Sequence, residues 1–154
     1  RKLILVGSSY GGPLCALLAA QFPQYVSGLL LVSSSIAPGE EAIWQITKII
    51  NSPLGEFFPR VLQVATAEKI HHKKMLKEIE QEWTKVVCPV IMLHGSEDEL
   101  IFPANANFVY SRFKSARKKI SILGGLKHNI VVTKPDYIVR RIKELLDDGY
   151  LAHQ

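Results

Sequence analysis

Four apolar runs recur along the chain: Leu3-Ile4-Leu5-Val6, Leu29-Leu30-Leu31-Val32, Val90-Ile91-Met92-Leu93 and Ile120-Ser121-Ile122-Leu123. Each is strand-sized, and runs without polar alternation are typical of parallel strands covered by helices on both faces. All four are therefore expected to be buried on both sides. Helical patterns lie between them, as the crossovers of a parallel sheet require. Leu14 to Gln21 is rich in Leu and Ala and stops near Pro23. Pro103 to Phe113 fits a second helix, with proline at its first turn. The last helix is expected from Pro135 to Asp148, with Ile138, Val139, Ile142, Leu145 and Leu146 on one apolar stripe and Gly149 as its stop. The pattern is that of an α/β protein with a parallel sheet and flanking helices.

The stretch from Pro38 to Val87 departs from this alternation. It is too long for one crossover and carries no convincing strand. Ile43, Ile46, Ile49 and Ile50 recur at helical spacing, Glu68 to Trp83 reads as a longer charged helix, and Pro53, Gly55 and Pro59 separate the two. A small helical insertion between the second and third strands is expected there, within a single domain spanning residues 1–154.

Composition narrows the class. The chain has 154 residues, 47% of them hydrophobic and 21% charged, as in ordinary globular domains. No apolar stretch approaches the ~20 residues of a membrane helix. Two cysteines, Cys15 and Cys88, cannot make a disulfide framework, so a reducing compartment, the cytoplasm by default, is expected. The net charge of +5 identifies no partner, and no nucleic-acid-binding motif accompanies it.

Candidate chemistry begins at Gly7-Ser8-Ser9-Tyr10-Gly11, a G-x-S-x-G sequence directly after the first strand and opening the first helix. Ser9 falls at the apex of a tight strand-to-helix turn. Gly7 and Gly11 are expected to leave space where side chains would collide. The Tyr10 amide N–H, at the helix start, points to where a negative oxygen would form. A small-residue turn without chemistry would look similar. A serine nucleophile needs a base. Of His71, His72, His94, His128 and His153, the first two lie in the basic insertion and the last is close to the end of the sequence. His94 ends the third strand, where a structural hydrogen bond accounts for it. His128 follows the fourth strand and Gly124-Gly125, on the same carboxyl edge of the sheet as Ser9. The base in turn needs a carboxylate, and the turn after the third strand supplies Glu97, Asp98 and Glu99.

Together these segments resemble the C-terminal part of an α/β-hydrolase-fold protein. Val6-Gly7-Ser8-Ser9-Tyr10-Gly11-Gly12 resembles the nucleophile elbow, His94-Gly95-Ser96-Glu97-Asp98 the acid loop and Gly124 to His128 the histidine loop. The resemblance implies the chain order Ser9, Asp98, His128 for a catalytic triad, with Glu97 and Glu99 as bystanders. It also implies that residues 38–87 are a short lid. It implies a serine hydrolase acting on a small-molecule acyl substrate, a carboxylic ester or related bond, through an acyl-enzyme and without metal or organic cofactor. One departure stands out. In a complete member the elbow follows the fifth strand; here it follows the first, so the N-terminal strands and the second oxyanion donor have no counterpart. A missing N-terminal half, or another chain, is expected along the Leu3–Val6 edge. The alternative function is a non-catalytic fragment or degenerate hydrolase domain used for binding or assembly.

Minor candidates are the i, i+4 pair Glu68 and His72, which lacks a third metal ligand, and the basic runs His71–Lys77 and Arg117–Lys119, expected to be solvated faces. Trp44, Phe57 and Phe58 either line an acyl pocket or pack the lid on the body.

Overall fold

The computed structural model describes residues 2–40, 47, 50, 52–53 and 57–151. Strands β1 (Leu3–Ser8), β2 (Val26–Val32), β3 (Val90–Gly95) and β4 (Lys118–Leu123) form one sheet in the order β1-β2-β3-β4, every neighbouring pair parallel. Each apolar run is the centre or end of a strand. Among the described residues no strand lies between β2 and β3, as expected for the 38–87 segment.

The two-residue period of a strand divides the apolar runs between two cores. Leu29 and Leu31 of β2, with Val90 and Met92 of β3, pack with Ala16, Ala19 and Ala20 of helix α1 (Gly11–Gln21). Leu30, Val32, Ile91 and Leu93 face the other way, against Ile130, Ile138 and Leu145. Small alanines bring α1 close to the sheet. Full burial on both faces holds for β2 and β3 only. Leu3 is 59% exposed and Val6 43%, and Ile122 of β4 is 49% exposed. The reason is topological: β1 and β4 are edge strands, each paired on one side.

Further helices with both ends among the described residues are α2 (Arg60–Glu78), α3 (Ala104–Arg112), the one-turn α4 (Ile130–Thr133) and α5 (Pro135–Leu151). The charged helix expected over Glu68–Trp83 instead begins directly after Pro59 and ends at Glu78. A 3₁₀ segment, Glu80–Lys85, follows and turns Trp83 into the core, 6.1 Å from the Phe113 ring. A continued α-helix would place that indole elsewhere. In α5, Gly149 does not act as a stop, because the helix continues through it to Leu151. The buried stripe of α5 is narrower than expected: Ile138 and Leu145 are buried, but Val139 and Leu146 lie outside it. Ile43, Trp44, Ile46 and Ile49 lie outside the described residues, whereas Thr47 and Ile50 are helical and buried. No helix among the described residues is long and apolar enough to cross a membrane.

Candidate active site

The carboxyl edge of the sheet collects three loops. At the first, β1 ends at Ser8 and α1 starts at Gly11, which leaves two residues for a sharp reversal. Ser9 takes it up with φ of +51°, a conformation costly for a non-glycine residue and held here by its surroundings. Its N–H donates to Val32 O at 3.1 Å, and its carbonyl accepts from Gly12 N at 3.1 Å and Ser35 N at 3.2 Å. Gly7 is needed for the close approach: a Cβ there would sit 2.8 Å from Gly11 O and Gly12 Cα. The expectation for Gly11 is corrected, since a Cβ at that position would meet nothing within 4 Å. The crowded glycine is Gly12, where a Cβ would lie 2.3 Å from Ser34 Cβ because β2's continuation crosses the helix start.

The second and third loops are built against each other. Ser96 N donates to Leu123 O and Glu97 N to Leu126 O, each at 3.0 Å, and Gly125 N donates to Ser96 Oγ at 3.0 Å. Gly125 supplies a positive φ of +69°. Gly95 lets the histidine loop settle on the end of β3, because a Cβ there would be 2.2 Å from Leu126 O. Asp98 is buried by this arrangement. Its Oδ1 accepts from the N–H of Leu100 at 3.1 Å and of Ile101 at 3.0 Å.

The three loops bring Ser9, Asp98 and His128 together. His128 Nδ1 lies 2.8 Å from Asp98 Oδ2, and His128 Nε2 lies 3.1 Å from Ser9 Oγ. The carboxylate can only accept, so the proton sits on Nδ1 and leaves Nε2 to accept from the serine hydroxyl. Asp98 makes this contact rather than Glu97 or Glu99, which face solvent. Tyr10 is the N-cap residue of α1, with its amide at the helix start beside Ser9. Such a chain can take the serine proton as the oxygen attacks, while N–H groups at a helix start can receive developing negative charge.

Two residues near the site, His72 and Asn105, carry roles that the linear pattern does not show, and His94 makes a structural hydrogen bond of the kind expected. His72 of α2 reaches across the edge: its Nε2 lies 3.1 Å from Ser35 Oγ, and its ring centroid lies 4.3 Å from that of Tyr10. Its i, i+4 spacing with Glu68 thus coincides with a role in seating α2 on the elbow. Among the described residues no three His, Cys, Asp or Glu side chains group as metal ligands would. Asn105 ties two loops, accepting on Oδ1 from Ile36 N and Ala37 N at 2.8 Å and donating from Nδ2 to Glu40 O and Phe102 O at 2.9 Å. His94, wholly buried, has Nε2 2.8 Å from Ile101 O. Desolvation lowers its pKa below the usual 6.5, outweighing the opposing pull of Ile101 O and Asp98. An open groove of about 620 Å³ borders the elbow, lined by Tyr10, Leu14, Ala67, Glu68, His72 and Met75 among others. Phe57 is exposed and Phe58 half-buried, and neither lines this groove; Trp44 is outside the described residues.

Comparison with known proteins agrees with this architecture. Residues 1–50 match the family described as "alpha/beta hydrolase fold", and residues 63–135 match "Serine aminopeptidase, S33". A caffeoylshikimate esterase of Arabidopsis thaliana is 26% identical over 74 residues, covering 46% of this chain and 22% of that protein. A thermostable monoacylglycerol lipase of Bacillus sp. (strain H-257) is 23% identical over 139 residues, covering 83% of this chain and 55% of the lipase. The crystal structure of a Paleococcus ferrophilus monoacylglycerol lipase superposes with a TM-score of 0.71 at 16% identity, covering 96% of this chain and 69% of that one. The chain thus spans about half or less of the length of these two curated relatives.

Proposed function

This chain belongs to the α/β-hydrolase superfamily, and from that premise we propose that it is the catalytic-loop portion of a serine hydrolase acting on a carboxylic ester. The observation that carries the reading is the continuous hydrogen-bonded path from Ser9 Oγ through the His128 imidazole to buried Asp98. In the proposed reaction Ser9 Oγ attacks the acyl carbon and its proton passes to His128 Nε2. The Tyr10 N–H donates to the oxyanion. The tetrahedral intermediate collapses, the C–O bond to the alcohol breaks, and His128 returns the proton to the departing oxygen. Water, deprotonated by His128, then attacks the acyl-enzyme, releasing the carboxylic acid and restoring Ser9. The largely apolar groove beside Tyr10 supports a substrate with an apolar acyl or alkoxy portion. No metal or organic cofactor takes part in this scheme.

A second element of the proposal concerns the sheet edge. Leu3 and Val6 expose apolar side chains on a strand paired along one side only. An edge of this kind is a template for a further strand. We propose that more of the same protein, or another chain, pairs there and brings the second oxyanion donor. A reducing compartment, the cytoplasm, is the corresponding proposal for location, supported by the unpaired thiols of Cys15 and Cys88.

The experiment is steady-state hydrolysis of short-chain p-nitrophenyl esters by the chain together with whatever completes the β1 edge. Ser9→Ala and His128→Gln are each expected to lower kcat by roughly 10⁶, and Asp98→Asn by roughly 10⁴. A wild-type rate no higher than that of Ser9→Ala would reject the reading and favour a binding or assembly role for this domain.

A further inference from the structure

The acid loop contains a buried polar side chain that the scheme above leaves without a part. His94 ends the apolar run of β3 and is wholly buried. Its two ring nitrogens have different surroundings. Nε2 lies 2.8 Å from the carbonyl oxygen of Ile101, which can only accept, so the single proton of the neutral ring resides on Nε2. Nδ1 is buried and has no hydrogen-bond partner among the described residues. A leucine or methionine would fill the same space and leave no orphaned acceptor, so packing alone does not account for an imidazole here.

The path from that N–H to the reacting groups is short. Ile101 is held on both sides of its backbone: its oxygen by His94, and its N–H by Asp98 Oδ1 at 3.0 Å. The same His94 Nε2 lies 3.4 Å from Asp98 Oδ2, the oxygen that faces His128. His94 therefore touches the Asp98–Ile101 turn at its far end and borders the carboxylate at its near end. It stands on a central strand, whereas the turn itself is a loop. Burial holds the ring neutral, so it contributes a directed N–H rather than a competing charge.

We propose that His94 is a positioning residue: by anchoring the Ile101 carbonyl to β3, it keeps Asp98 Oδ2 aimed at His128 Nδ1. The proposal rests on the reading of Ser9, His128 and Asp98 as the reacting set. It assigns His94 no contact with substrate. Its consequence is that kcat depends on a donor at the Nε2 position, while substrate binding does not.

The test compares His94→Gln, His94→Asn and His94→Leu. Glutamine reaches the Nε2 position with an N–H donor, asparagine extends only to the Nδ1 position, and leucine carries no donor. Each is assayed by p-nitrophenyl ester hydrolysis well below its own unfolding temperature, with Ser9→Ala as background. The low-field NMR signal of the His128 Nδ1 proton is recorded in parallel. Glutamine is expected to keep kcat near wild type and to retain that signal. Asparagine and leucine are expected to lower kcat by roughly tenfold to a hundredfold with KM unchanged, and to lose or shift the signal. If leucine fails to fold, the contrast between glutamine and asparagine decides. Equal rates and an unmoved signal across the folded variants would overturn the positioning role while leaving the serine hydrolase reading intact. A wild-type protein whose hydrolysis equals that of Ser9→Ala would instead overturn that reading, and the positioning role with it.

Discussion

Replacing Gly95 with alanine should disable the site without touching any reacting group. Gly95 is the last residue of β3, and the histidine loop rests directly on it. An added Cβ would stand 2.2 Å from Leu126 O, 2.7 Å from Leu126 C and 2.7 Å from Lys127 O. All three are backbone atoms, so no side chain can swing aside. Relieving the closest contact to 3.0 Å moves the loop by about 0.8 Å. His128 follows Lys127 immediately, and its Nε2 is now 3.1 Å from Ser9 Oγ. The same shift carries that pair past hydrogen-bond range. A misplacement near 1 Å lowers a rate by roughly a hundredfold, so kcat should fall by about that factor. Overpacking of this kind costs about 1–3 kcal/mol, which for a domain of this size lowers Tm by roughly 2–12 °C. The assay is ester hydrolysis well below both unfolding midpoints, with thermal unfolding by circular dichroism alongside. Gly95→Ala protein with wild-type kcat and wild-type Tm would refute the reasoning, because it would mean that the histidine loop does not rest on this glycine.

Three further outcomes are expected. Gly12→Ala should cost about 1–3 kcal/mol in a denaturant melt, since its Cβ would fall 2.4 Å from Ser34 Oγ, which donates to Gly7 O, whereas Gly11→Ala, facing open space, should be neutral or slightly stabilising. The lowered pKa of His94 means the unfolded chain binds its proton first, so the corresponding stability is fully present above pH 6.5 and is lost as pH falls from there through the lower folded value. His94→Gln should reduce the acid-side slope of stability against pH, and an unchanged slope would contradict this. Leu3→Lys with Val6→Lys should suppress self-association of the isolated chain in sedimentation velocity, and a wild-type chain that stays monomeric would show that the β1 edge is not adhesive.

The central strands were legible because an apolar run without alternation has one stable setting, buried between two helical layers, and Leu29–Val32 and Val90–Leu93 fill it. β1 and β4 carry the same kind of run, so the run alone suggested burial on both sides. The unpartnered Leu3–Val6 edge was expected from the resemblance, whereas the exposure of a single side chain such as Ile122 depends on sheet order, which no local run encodes. Ser9 and His128 stood out because each occupies a loop after a parallel strand, and parallel strands deliver such loops to one edge. The same argument left Glu97, Asp98 and Glu99 open, and the resemblance alone implied Asp98. The supporting residues were hidden for a related reason. His72 meets Ser35 and Tyr10, and Asn105 meets Ile36, only across long sequence separations. Nothing in their local sequence distinguishes them from ordinary polar residues on helices. The crowding at Gly12 rather than Gly11 likewise depends on where Ser34 crosses α1, a contact between segments more than twenty residues apart.

The central claim is that Ser9 is a nucleophile activated by His128, and reaction with a serine-directed fluorophosphonate tests it most directly. After labelling, proteolysis and tandem mass spectrometry should place the phosphonyl adduct on Ser9, with the reaction slowed strongly in His128→Gln and absent in Ser9→Ala. An adduct on another serine, or equal labelling of Ser9 with and without His128, would contradict it.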